Sequence, residues 1–164
     1  MRFLVLLLLA FPAAAAPLRP GTPQLSLRLE GLFGQPTTLL GARGGAAVGI
    51  GYRLTDQLSL TGDLGQRAAP GGGIASVAIG LQAALDALPV VPYLELAMVQ
   101  FTNRRALGYS LATRTGAGAD WPITPRVALG LVVRTYAAFD PEAGYDTLAG
   151  LEAALRLVFT PGAK

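Results

Sequence analysis

The sequence predicts an all-β protein, an eight-stranded antiparallel up-and-down transmembrane β-barrel preceded by a cleavable signal peptide. Three observations carry this prediction. Eight stretches of about ten residues alternate apolar and polar side chains and are separated by turn residues. Every charge within those stretches falls on one parity, leaving the other face uncharged. An apolar run at the N-terminus has the form of an export signal.

The chain opens MRFLVLLLLAFPAAAA, with Arg2 as its basic residue, an apolar run over 3–11, then Pro12 and small residues. Nine apolar residues are too few for a spanning helix, which needs about 20. Ala13 and Ala15 form the small pair of a cleavage site, so the leader is expected to be 1–15, followed by a short segment 16–23. Cutting one residue later would leave Pro17 first, which is unfavourable. With no cysteine in the chain, a lipid-anchored form is not expected.

The barrel is expected over 24–159, with a tail at 160–164. Its strands are QLSLRLEGLF (24–33), GAAVGIGYRL (45–54), LSLTGDLGQR (58–67), IASVAIGLQAAL (74–85), PYLELAMVQF (92–101), SLATRTGAGADW (110–121), RVALGLVVRTY (126–136) and LAGLEAALRLVF (148–159). The last of these also fits a helix carrying an i,i+4 pair, Glu152 and Arg156. Seven preceding strands of the same parity decide for a strand. Connections alternate: short at 55–57, 86–91 and 122–125, longer or more polar at 35–44, 68–73, 102–109 and 137–147. That order suits a barrel whose first strand starts in the periplasm, with short turns there and longer loops outside.

Sorted by parity, one face carries residues such as Leu25, Leu27 and Leu29, Val48 and Ile50, Leu94, Leu96 and Met98, and Leu151, Leu155 and Leu157. The other carries Arg28, Glu30, Arg53, Asp63, Arg67, Glu95, Arg114, Asp120, Arg126, Arg134, Glu152 and Arg156, padded with Gly and Ala. A soluble barrel would turn its apolar face inward. Two features argue for the inverted arrangement. A water-facing strand surface would carry Thr, Lys and Gln, whereas the sole lysine is Lys164, outside every strand. Small residues mixed with a few long charged ones suit a narrow lumen. Phe33, Tyr52, Trp121 and Phe159 stand near strand ends on the apolar face, as interfacial aromatics do. Inward charges must be paired, and antiparallel neighbours predict Arg134 with Glu152, Glu95 with Arg114, and Arg156 with Glu30. This lumen charge network is the candidate site.

Composition narrows the function classes. Charged residues make up 14% of the chain, against about 25% in ordinary soluble domains. Histidine and cysteine are absent, which rules out Ser/His or thiol chemistry and the commonest metal ligand. Inward carboxylates interleaved with arginines leave no proton donor for glycoside hydrolysis. Asp140, Glu142 and Asp146 form a solvated acidic loop without calcium-loop spacing. Gly71, Gly72 and Gly73 lack the strand–loop–helix context of a phosphate cradle. The arginines are dispersed, so no basic stripe invites nucleic acid. No catalytic, cofactor or metal site is expected.

On these residues, and over 24–159, the chain resembles the small bacterial outer-membrane barrels of the OmpA/OmpX type. The resemblance implies an insertion signal in the last strand, where Gly150, Leu155, Leu157 and Phe159 match an alternating pattern ending on an aromatic. The tail at 160–164 departs from that pattern. The expected function is an integral outer-membrane protein, structural or surface-exposed, with both termini periplasmic. Its partners would be outer-membrane lipids and the insertion machinery, and it is expected to be a monomer without a cofactor. A passive small-solute pore and a secreted lipocalin-like carrier are the alternatives.

Overall fold

The computed structural model describes residues 24–37, 44–69, 72–85, 88–103, 109–139 and 149–161. The expected leader, the segment 16–23, the trio Asp140, Glu142 and Asp146, and the last three residues of the tail lie outside the described residues. Alternating sequence becomes strand throughout: β1 (Leu25–Thr37), β2 (Gly44–Arg53), β3 (Leu58–Ala69), β4 (Gly72–Ala84), β5 (Val91–Asn103), β6 (Tyr109–Thr124), β7 (Val127–Phe139) and β8 (Ala149–Phe159). The final segment is a strand, and no described helix is long and apolar enough to cross a membrane.

Each strand pairs antiparallel with the next, and β8 returns to β1, closing the sheet into a barrel. Closure satisfies every ladder group internally and leaves no sheet edge, the condition for strands to stand in hydrocarbon. At the seam Leu29 lies opposite Leu157 and Glu30 opposite Arg156. Because side chains alternate, this register sends both charges to the same face as every other inward charge.

The apolar face looks outward. Leu94, Leu151 and Ile79 are 65%, 62% and 61% exposed, while Arg134 and Glu152 are 0% and 1% exposed. This distribution is the reverse of a water-soluble barrel. Phe33 stands outward at one rim, and Tyr52, Trp121 and Phe159 stand at the other, near the ends of β2, β6 and β8.

Two turns at the end shared by residues 24 and 161 (the terminal end) use one device. The Thr55 hydroxyl accepts from the backbone N–H of Gln57 and Leu58, at 3.3 and 3.0 Å. Thr124 does the same for Arg126 and Val127, at 3.2 and 3.0 Å. A threonine hydroxyl that takes the second and third N–H after it substitutes for the backbone acceptor a tight reversal lacks. Two connections differ from expectation. The strand pairing of β6 continues through Pro122, opposite Ala128, and shifts register before Thr124, so the turn is shorter than 122–125. The 68–73 connection is a tight hairpin, since Ala68 pairs with Gly73 and Ala69 with Gly72. Gly72 has φ +146°, which a side chain would strain.

Candidate functional site in the barrel lumen

Ten of the twelve predicted charges meet inside the barrel: Arg28, Glu30, Asp63, Arg67, Glu95, Arg114, Asp120, Arg134, Glu152 and Arg156. They are five guanidinium groups and five carboxylates. The other two stay at the terminal end. Arg53 ends β2 and donates to the carbonyls of Thr55 and Asp56, at 3.2 and 2.7 Å. Arg126 lies in the β6–β7 turn and is exposed. Both line the mouth of the barrel at that end, beyond or at the last residue of their strands.

Spacing along the strands puts the charges at successive depths. In the middle, Arg134 of β7 is clamped by two acids. Its Nη1 and Nη2 donate to Glu30 at 2.6 and 2.9 Å, and its Nε and Nη2 to Glu95 at 2.5 and 3.3 Å. Arg114 approaches Glu95 Oε1 at 3.2 Å and donates to Asp63 Oδ2 at 2.7 Å. Arg28 takes the other oxygen of Asp63 at 2.8 Å. The result is a continuous chain of alternating charge from Arg28 through Asp63, Arg114, Glu95 and Arg134 to Glu30.

Toward the opposite rim (the loop end), Arg67 donates to both oxygens of Glu152, at 2.8 and 3.2 Å, and to Ser76 at 2.7 Å. Tyr136 donates to Glu152 at 2.6 Å. The Arg67 guanidinium also lies 5.4 Å from the Phe101 ring centre. Ile74, Ala78, Val99, Phe101, Ala112 and Tyr136 form a buried apolar cluster around this pair. Toward the terminal end, Arg156 forms a two-pronged pair with Asp120 and stacks 4.1 Å above Tyr93. Gln82 Oε1 accepts from Arg28 at 3.5 Å and from Arg156 at 3.3 and 3.4 Å.

The three pairs expected from strand neighbourhood fare differently. Glu95 and Arg114 meet. Arg134 and Glu152 are register partners but stand 3.9 Å apart, and Arg134 gives its short bonds to β1 and β5 instead. Arg156 and Glu30 are register partners too, yet Arg156 pairs with Asp120 and Glu30 with Arg134. An arginine long enough to reach the barrel axis overshoots its neighbour and meets carboxylates from strands two or more away. The pairs thus brace the lumen across its width.

Glycines make the room. A Cβ on Gly49 would collide with the Asp63 carboxylate, one on Gly130 with Asp120, and one on Gly118 with the Tyr93 ring. Gly118 is the register partner of Tyr93, so the ring lies across it. Tyr93, Tyr136, Ser76, Phe101 and Gln82 belong to the site although sequence reasoning did not single them out. Their inward parity, shared with the charges, was the available signal. The insertion-signal residues divide, with Gly150 inward and Leu155, Leu157 and Phe159 outward.

The site offers a packed, mutually neutralised lumen. Each of the five lumen carboxylates, four buried and Asp120 partly so, is engaged by a guanidinium. Among the described residues, no three His, Cys, Asp or Glu side chains group as a metal site requires.

No protein-family model matches the chain, and a comparison with curated proteins finds no significant match. Solved structures do match. The N-terminal β-barrel domain of OprF from Pseudomonas aeruginosa superposes with a TM-score of 0.62 at 16% identity, covering 85% of this chain and 99% of that one. Neisserial surface protein A superposes at 0.58 with 15% identity, covering 84% and 96%. A de novo designed transmembrane β-barrel superposes at 0.59 with 14% identity, covering 86% and 98%. At such identities the likeness speaks to fold, and the fold is the closed eight-stranded antiparallel barrel of the small transmembrane β-barrels.

Proposed function

We propose that the protein is an integral outer-membrane β-barrel with a structural or surface-exposed role, a lumen closed by its charge network and no catalytic activity. The observation that carries this reading is the inverted arrangement of its faces. A continuous apolar exterior suits lipid, where one charge at mid-depth costs about 2–4 kcal/mol. A lumen in which guanidinium and carboxylate groups match five to five suits a braced interior better than an open channel. In this reading the terminal end faces the periplasm, the loops face outward, and Phe159 completes the signal read by the insertion machinery. A secreted carrier would turn its large apolar side chains inward, and here they stand outward around a core of paired charges.

The test is extraction and conductance. The protein is expected to leave membranes only with detergent, to migrate differently on gels before and after heating, and to give no steady current in planar bilayers. Release into buffer without detergent would overturn the membrane reading. A steady unitary current from the wild-type barrel would replace the closed lumen with the passive pore. Paired Arg134→Ala and Glu152→Ala substitutions are expected to produce current where the wild type gives none.

A further inference from the structure

At the terminal end the lumen widens into a cavity of about 540 Å³ that runs from the β2–β3 and β6–β7 turns down to Arg28, Gln82, Asp120 and Arg156. Small-molecule sites commonly span about 300–1,000 Å³. Its charges are already engaged. On the floor Arg28 is held by Asp63 and Arg156 by Asp120, and at the mouth Arg53, Asp56 and Arg126 have partners of their own. A charged solute would lose water here without gaining a counter-ion. What sets the cavity apart is its sidedness. The half toward β5–β8 is mostly hydrocarbon, with Val91, Pro122, Ala128 and Val158 on the wall and Leu88 and Pro89 at the rim. The half on β1–β4 carries Ser26, Ser59, Thr61 and Gln82 instead. Because strands pair in chain order around the ring, the two halves face each other.

The polar half holds hydrogen-bonding groups that the fold does not use. Thr61 is only 5% exposed, yet its hydroxyl has no hydrogen-bond partner among the described residues. Its register partners on both sides are glycines, Gly51 and Gly80, so neither covers it from the cavity it lines. Ser59, two residues away on β3, is likewise without a described partner. Gln82 stands opposite Ser59 in the ladder, and its Oε1 accepts from Arg28 at 3.5 Å and from Arg156 at 3.3 and 3.4 Å. Two cations on one side fix the amide, since reversing it would aim its N–H groups at them. The Nε2 donors are thus turned from both arginines and meet no acceptor among the described residues. Unused polar groups that are nearly buried carry a desolvation cost, which a ligand reaching them offsets.

We propose that this vestibule is a binding site for a small uncharged amphiphile, its hydroxyl groups on Ser59, Thr61 and Gln82 and its hydrocarbon body against Val91, Pro122, Ala128 and Val158. A glycoside with an apolar aglycone is the simplest member of that class. Its hydroxyls both donate and accept, which suits two hydroxyls and an amide N–H in a row. Mostly apolar walls with a few convergent polar groups are the usual make-up of a small-molecule site. The inference goes beyond the proposed role. It requires only the folded barrel, so it stands or falls separately from membrane location and conductance.

The test is calorimetric titration of the folded full chain in a detergent without sugar headgroups, with phenyl β-glucoside as the probe. Glucose, which lacks the apolar body, and phenyl β-glucuronide, which adds a carboxylate, are the comparisons. The glucoside is expected to bind saturably at one site, with an affinity that does not change as salt is raised. Glucose and the glucuronide are each expected to bind at least tenfold more weakly. Thr61→Val combined with Ser59→Ala removes both hydroxyls at nearly constant volume. It is expected to keep the heat-modifiable folded form and to weaken glucoside binding at least tenfold. Val158→Thr, which places a hydroxyl on the hydrocarbon side, is expected to weaken it severalfold. Thr102→Val, on the outer face of β5, is expected to bind as the wild type does. Absence of saturable glucoside binding would overturn the proposal. So would equal binding by glucose or by the glucuronide, or undiminished binding by either folded cavity variant.

Discussion

Arg134 has no exposed surface and gives four hydrogen bonds to two carboxylates. Burying a guanidinium is expensive, and the expense is offset only while its partners stay in place. Arg134→Met should therefore destabilise the barrel by about 3–5 kcal/mol, mainly by stranding Glu30 and leaving Glu95 to Arg114 alone. Adding Glu30→Gln and Glu95→Gln to that variant should restore more than half of the loss. Equilibrium urea unfolding in phospholipid vesicles, followed through Trp121, the sole tryptophan, measures both. At this scale the sequence was legible in part. Alternation tells which face a charge takes, and it placed ten of twelve inside. It says nothing of how far a side chain reaches across the axis. Register partners such as Arg156 and Glu30 therefore look like a pair in one dimension and belong to different pairs in three.

Strands were the most legible elements, because a lipid face tolerates no charge and a lumen face needs some, so the period of two is enforced from both sides. The apolar stripe of β5, Leu94, Leu96 and Met98, lies wholly outward. Leu96, near the middle of β5, is expected to sit near mid-membrane and Leu25, at the start of β1, near an interface. Leu96→Arg should accordingly cost about 2–4 kcal/mol and Leu25→Arg about 0–1 kcal/mol. Unfolding midpoints of the two variants in the same vesicles check that gradient. Strand ends were less legible. Pro122 reads as a stop, yet an amide-free residue fits where the pairing shifts register beside Thr124. Likewise the Pro-Gly run after β3 reads as a loop, but the pairing of Ala69 with Gly72 continues the strands to within two residues of each other. Local composition signals a reversal and leaves its tightness to the ladder around it.

Over the whole molecule the interior is filled unevenly. The loop end holds Arg67 and Glu152 among aromatic and aliphatic side chains, while the terminal end opens into the cavity above Arg28 and Arg156. That asymmetry could not be read from parity, because inward apolar residues such as Ile74, Val99, Phe101 and Tyr136 collect at one end only once the strands are staggered around the ring. Closure itself was legible from the count of strands and the alternation of short and long connections.

The seam between β1 and β8 has a further consequence. It is paired like every other junction, and both described chain ends are tied to neighbours by backbone bonds of 2.9 Å, Arg53 N to Gln24 O and Thr160 N to Arg126 O. Topologically the barrel is a ring cut once, and the cut can be moved. Joining 160 to 24 by a short linker and opening the ring at 55–57 makes β2 the last strand, with Val48, Ile50 and Tyr52 outward and an aromatic still at its end. Opening it between Leu85 and Leu88 makes β4 last, with Leu81 and Leu85 outward and no aromatic. Both permutants should fold in detergent to the wild-type band shift. If Phe159 serves as an address for assembly, only the first should reach the membrane in cells, and fractionation would show order of synthesis separating from shape.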